Sequence, residues 1–173
     1  MAADMTSNNP LLGAAKPGSS ADFAGVRVES ATIEDVPELL ELMMDLMEQQ
    51  GDFTPDRAAH ERGISLVLEQ PNRGRIFVLR NDERIFGMVN LLFTISTAMG
   101  GLVINLEDFI IHPDHRGQGY GSMLLDSVLN FSEKKDFKRI TLLTDKIGAE
   151  VQNFFKKEGF EHSKMIPMRW VSK

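Results

Sequence analysis

Glycine recurs at alternate positions in Arg116-Gly117-Gln118-Gly119-Tyr120-Gly121-Ser122, directly ahead of an amphipathic stretch. Glycines so spaced let backbone N–H groups turn outward, and a helix starting there adds its unpaired donors and the positive end of its dipole. Such a place holds a phosphate or pyrophosphate. Just upstream, Phe109-Ile110-Ile111 reads as the end of an apolar strand, and His112-Pro113-Asp114-His115 as a turn. A nucleoside-triphosphate loop needs Gly-Lys-Ser/Thr, but Ser122 follows Gly121 with no lysine between them. A dinucleotide fingerprint needs its glycines in a tight turn directly after a strand; here the final spacing differs and an extra turn intervenes. The ligand predicted is phosphate-bearing and is neither of these.

The elements around this loop follow from periodicity. Residues 26–30 alternate and read as a strand. Thr32-Ile33-Glu34-Asp35 is a capping-box variant opening a helix with Val36, Leu40, Met43 and Met47 on one face, ended by Gly51. A second helix is expected from Pro55 to Glu69, stopped by Pro71-Asn72. Strands follow at 75–80, 84–94 and 102–111, the first two joined by Asn81-Asp82-Glu83. The helix after the glycines buries Leu124, Leu125, Val128 and Phe131. A strand at 139–144, a helix from Ala149 to Glu158 closed by Gly159, and a last strand at 162–171 complete the chain.

With this order in view, residues 105–122 resemble motif A of the GCN5-related N-acetyltransferases. Arg116, Gly119 and Gly121 fill its Arg/Gln, Gly and Gly/Ala places, and Phe109-Ile110-Ile111-His112-Pro113-Asp114 fits the strand end before it. The resemblance runs from about Val26 to Trp170. It implies an α/β fold with a mixed central sheet of six to seven strands, helices on both faces, and a splay between the two central strands at the acetyl-CoA site. It also implies that the backbone of Phe109, Ile110 and Ile111 pairs with the pantetheine arm. Amides from Gly117, Gln118, Gly119, Tyr120, Gly121 and Ser122, with the Arg116 region, would hold the pyrophosphate, and Asn153 and Phe155 on the last helix would complete the cofactor contacts.

Acetyl transfer to an amine needs a held thioester, a deprotonated amine and a proton for the leaving thiolate. Strand alternation puts Asn105, Glu107, Phe109 and Ile111 on one face and Leu106, Asp108 and Ile110 on the other. Glu107 is then placed near the thioester carbon, where partial burial would raise its pKa toward the work of a base. Leu106-Glu107-Asp108-Phe109 is similar to the matching stretch of diamine and polyamine acetyltransferases, whose Glu is the proposed base. The competing reading has Glu107 paired with an arginine at a break in the sheet. One departure stands out. Phe155 occupies the place where many members carry the tyrosine that protonates coenzyme A, and a phenyl ring has no proton to give. Tyr120, the single tyrosine, is expected to start a helix.

Composition bounds the remainder. The 173 residues suit one domain, 26–173, behind a flexible leader at 1–25. The chain has no cysteine, which excludes thiolate catalysis, and a net charge of −6, which disfavours nucleic acid and suits a cationic acceptor. No membrane span or secretory signal is read, so a cytoplasmic enzyme is expected, with a homodimer left open. His112 and His115 lack a third ligand and read as exposed loop residues, so no metal is expected; His60 and His162 stand isolated. The reading is direct transfer from acetyl-CoA to a primary amine, first a small amine or polyamine. A protein N-terminus or lysine is the second acceptor, and an acyl-CoA sensor without turnover is the alternative that Phe155 favours. The acceptor site is expected within 48–73 and 94–102.

Overall fold

Apolar residues on both alternations of residues 74–80 and 85–92 specify strands covered on both faces. The computed structural model describes residues 23, 25–49, 54–144 and 149–172, and these strands form its centre. The described residues group into two units, one closing at Leu143 and one opening at Thr144. Apart from Phe23 and Gly25, the expected leader lies outside the described residues, as does Gly51.

The first unit runs β1 (Arg27–Ser30), α1 (Val36–Gln49), α2 (Arg57–Leu68), β2 (Gly74–Arg80), β3 (Ile85–Ser96), β4 (Gly101–Ile111), α3 (Tyr120–Lys134) and β5 (Ile140–Leu142). Its sheet has the order β1-β2-β3-β4-β5, antiparallel as far as β4 and parallel between β4 and β5. The expected α/β fold with helices on both faces is present. The sheet has five strands among the described residues rather than six to seven.

Local chemistry sets the joints. Thr32 N–H donates to the Asp35 carboxylate at 2.8 Å, the predicted cap. Asp56 caps α2 by accepting from Ala59 N–H at 3.0 Å, so this helix starts two residues after Pro55. The Asn81 side chain accepts from the N–H groups of Glu83 and Arg84, at 3.0 and 2.9 Å, and turns β2 into β3.

Each face of the sheet has its own core. On one, Ile76, Val78, Ile85, Met88 and Ile110 pack with Leu39, Leu40, Leu42, Leu46 and Met47 of α1 and Ile64 of α2. Met43, expected on the buried stripe, is only partly buried. On the other, α3 buries Leu124, Leu125 and Val128. Phe131 is half-buried there, its ring edge-on to Phe77 at 5.3 Å and stacked on Phe93 at 6.0 Å.

Asp35 is buried and bonds Arg80 Nη1 at 3.0 Å, so one carboxylate serves both the cap and an ion pair to β2. Removing it leaves a largely covered guanidinium with fewer acceptors. Asp35→Ala is expected to lower unfolding stability by about 3 kcal/mol, read by chemical denaturation.

In the second unit, α4 (Ala149–Lys157) is followed by Gly159 at φ +93. The expected strand at 162–171 is absent: this segment is irregular, with Met165, Ile166, Met168, Trp170 and Val171 exposed. Pro167 has no N–H for a ladder, and no described strand offers the segment a partner.

Candidate active site

The site grows from the way β4 outruns β5. Ile104, Asn105 and Leu106 pair in parallel with Ile140, Thr141 and Leu142, and the ladder stops there. β4 continues to Ile111 with no described strand on its β5 side. On its other side it bulges: Met88 pairs with Ile110 and Asn90 with Glu107, so Val89 alone opposes Asp108 and Phe109. Asp108 takes φ +50, a left-handed conformation that Asp tolerates better than most residues. Asn90 Nδ2 donates to its Oδ2 at 3.0 Å and holds the bulge.

The bulge changes which residues face together. Cross-strand partners share a face, so Glu107 lies with Asn90, Met88 and Ile110 on the α1/α2 side, and Ile111 pairs with Gly87 on the other. Simple alternation had grouped Glu107 with Ile111. Ile110 is buried in the α1/α2 core, whereas Glu107 lies where the helical cover gives out and reaches solvent.

Burial first, and the adjacent Asp108 charge second, raise the pKa of Glu107 above the ordinary carboxylate value. Asp108 is raised by burial too, against the lowering effects of its Asn90 bond and of nearby His60. His60, which looks isolated in sequence, sits on α2 within electrostatic reach of the bulge, its Nε2 accepting from Asp56 N–H at 3.2 Å.

A carboxyl whose pKa is higher folded than unfolded favours folding fully below its unfolded pKa and loses that contribution as pH rises through the folded one. Asp108→Asn is therefore expected to raise Tm at neutral pH, by a margin that shrinks as pH falls through the raised folded pKa and is gone below about 4. It also removes a neighbouring charge from Glu107, so the acid limb of kcat/KM should move to lower pH. Thermal melts and a pH–rate profile check both.

The loop beyond β4 carries the recurring glycines. A short 3₁₀ turn at Pro113–His115 leads to Gly117 at φ +72 and Gly119 at φ +87, the latter capping α3. Gly121 is helical, the second residue of α3. The first turn of this helix gives the loop N–H groups and a positive dipole end. Arg116 is committed to shaping the turn: its Nε donates to Ile111 O and its Nη2 to Gln49 Oε1, both at 2.8 Å. Gln118 Nε2 donates to Asp114 O at 3.2 Å.

Tyr120 starts α3 as expected, edge-on to Phe23 and Phe86 at 5.3 and 5.1 Å. His115 is no exposed loop residue: it is half-buried and stacked on Phe86 at 4.4 Å. Its pKa is lowered by burial first, then by Arg84 and His112, against Asp114. Phe23 lay in the presumed leader, and only its aromatic character hinted at a docked ring. Asn153 and Phe155 lie on α4 in the second unit, where Phe155 is buried with its ring edge-on to Phe154 and Phe160. Among the described residues no cluster of three His, Asp or Glu side chains could hold a metal, and no helix is long and apolar enough to cross a membrane.

Comparison with known proteins places the chain in a family. The acetyltransferase (GNAT) family model matches residues 36–160, and the chain belongs to that family. It is an acetyl-CoA-dependent N-acetyltransferase. It is 25% identical over 133 residues, 77% of this chain and 83% of the relative, to an aminoalkylphosphonate N-acetyltransferase of Salmonella typhimurium. Its fold matches an aminoglycoside acetyltransferase from an uncultured soil metagenomic sample, solved with sisomicin (TM-score 0.72, 18% identity, covering 87% of this chain and 98% of that one). It also matches a predicted acetyltransferase from Clostridium acetobutylicum solved with acetyl-CoA (TM-score 0.67, 19% identity, covering 86% and 95%).

Proposed function

We propose that this enzyme moves the acetyl group of acetyl-CoA to the primary amine of a small molecule, with Glu107 as the base. The observation that carries this reading is the position of Glu107, beside the bulge where β5 leaves β4, with its proton affinity raised. The pantetheine arm lies along β4 beyond Leu106, at Phe109, Ile110 and Ile111. The pyrophosphate rests on the turn from Gly117 to Ser122 and on the N-terminus of α3.

Glu107 takes a proton from the bound ammonium, and the freed nitrogen lone pair attacks the thioester carbonyl carbon. The C–S bond then breaks and coenzyme A leaves as a thiolate. With no cysteine for an acetyl-enzyme, direct attack is the simpler course. Phe155 offers no proton, so the second proton that the nitrogen sheds as the amide forms passes through solvent to the thiolate.

A cationic small amine suits the adjacent carboxylates of Glu107 and Asp108 and the net charge of −6. The Salmonella relative and the metagenomic neighbour are both named for small-molecule amines. Polyamines, aminoglycosides, aminoalkylphosphonates, amino acids and peptides with free N-termini, incubated with acetyl-CoA and read by mass spectrometry, test the assignment. Acetylation confined to small amines is expected. Acetylation of peptides alone, or no product while acetyl-CoA is bound, would count against it.

A further inference from the structure

Asn90 interrupts the apolar run Met88-Val89-Asn90-Leu91 in the middle of β3, where Val89 and Leu91 are fully buried. A polar residue at such a place violates the local pattern and calls for a function. Its neighbours fix which way its amide points. Asp108 Oδ2 accepts a hydrogen bond from Nδ2 at 3.0 Å, so the donor end of the amide faces it. Oδ1 is therefore turned away from Asp108. It is buried and has no hydrogen-bonding partner in the protein, a costly state for an acceptor that native folds rarely tolerate without a use. In the ladder Asn90 stands directly opposite Glu107, so the two side chains are neighbours on one face of the sheet.

We infer that Asn90 is a further substrate-orienting residue, its Oδ1 accepting a hydrogen bond from the amine that Glu107 deprotonates. This rests on the reading of Glu107 as the base. A primary ammonium carries three N–H groups. One points to Glu107 and leaves as the proton; a second, held by Asn90, fixes the direction in which the new lone pair opens. The left-handed bulge at Asp108 anchors the amide by its other end, and the amine reaches the buried Oδ1 by parting the side chains that cover it.

The test is steady-state kinetics of wild type, Asn90→Leu and Asn90→Ser, with one primary amine that the wild type acetylates and with amine and acetyl-CoA varied in turn. Asn90→Leu roughly keeps the volume and removes both the Oδ1 acceptor and the Nδ2 donor to Asp108, so the two KM values are compared. Its KM for the amine should rise roughly tenfold to a hundredfold, the loss expected of one charge-assisted hydrogen bond, well beyond any rise in its KM for acetyl-CoA. Asn90→Ser, which retains an oxygen, should fall between Leu and wild type. The KM for acetyl-CoA reports on the bulge, because the pantetheine arm is placed along the same stretch of β4. An unchanged amine KM in Asn90→Leu overturns the proposal. So does an equal rise in both KM values shared by the two variants, which would make Asn90 a prop for the bulge alone. A wild type that acetylates no primary amine overturns the reading of the site beneath it, and that outcome is distinct from either of these.

Discussion

Glu107→Gln should lower kcat by about a hundredfold to ten-thousandfold, the range a positioned general base contributes. The KM for acetyl-CoA should stay near its wild-type value. The change keeps the shape and hydrogen-bonding reach of the side chain and removes only its ability to hold a proton. Nothing in the fold depends on the charge, because the carboxylate is placed at the edge of the helical cover and its raised pKa marks a charge that the fold does not favour. The variant should therefore be at least as stable as wild type at neutral pH. A lower kcat joined to a lower Tm would instead describe a structural carboxylate. Steady-state kinetics with each substrate varied, beside thermal melts, separate the two.

Gly119→Ala should damage acetyl-CoA binding for a different reason. Gly119 has φ +87, where an L side chain costs about 1–2 kcal/mol. The new Cβ would also stand 3.2 Å from Phe23 Cζ, tighter than an ordinary contact. Gly119 caps α3 and its carbonyl accepts from Met123 N–H at 3.1 Å, so relaxing its backbone re-aims the first turn of the helix. The expected result is a loss of about 1–2 kcal/mol in stability and a rise of about tenfold in KM for acetyl-CoA, with kcat at saturation little changed. Gly63→Ala is the contrasting change: it lies inside α2 with nothing within 4 Å of its Cβ, and should gain about 0.5–1 kcal/mol. Equal effects at the two glycines would show that the strained turn is not what holds the cofactor.

These predictions draw unequally on what the sequence displays. The apolar runs at 75–80 and 84–94, joined by Asn81-Asp82-Glu83, were enough to find β2 and β3, and Gly117 and Gly119 sit at positive φ. The bulge at Asp108 was not legible. Bulges that need a left-handed residue are usually marked by glycine, and here an aspartate takes the conformation with help from Asn90, 18 residues away. Without that partner in view, period-two counting put Ile111 rather than Ile110 beside Glu107. His60 escaped notice for the same reason: its relation to Asp108 exists only after α2 folds over the sheet. The segment at 162–171 misled in the opposite direction. Its methionines, isoleucine, tryptophan and valine suit a strand, but a strand is made by its partner, and Pro167 removes a ladder donor.

The most direct test of the account is the rate ratio of wild type to Glu107→Gln on two primary amines of similar shape, one strongly basic and one whose pKa lies below the assay pH. The strongly basic amine arrives as an ammonium and needs a proton removed; the weakly basic one arrives with its lone pair free. The account predicts a ratio of about a hundred or more for the first and a ratio approaching one for the second. A ratio that is large and equal for both amines, or near one for both, would contradict the assignment of Glu107 as the base.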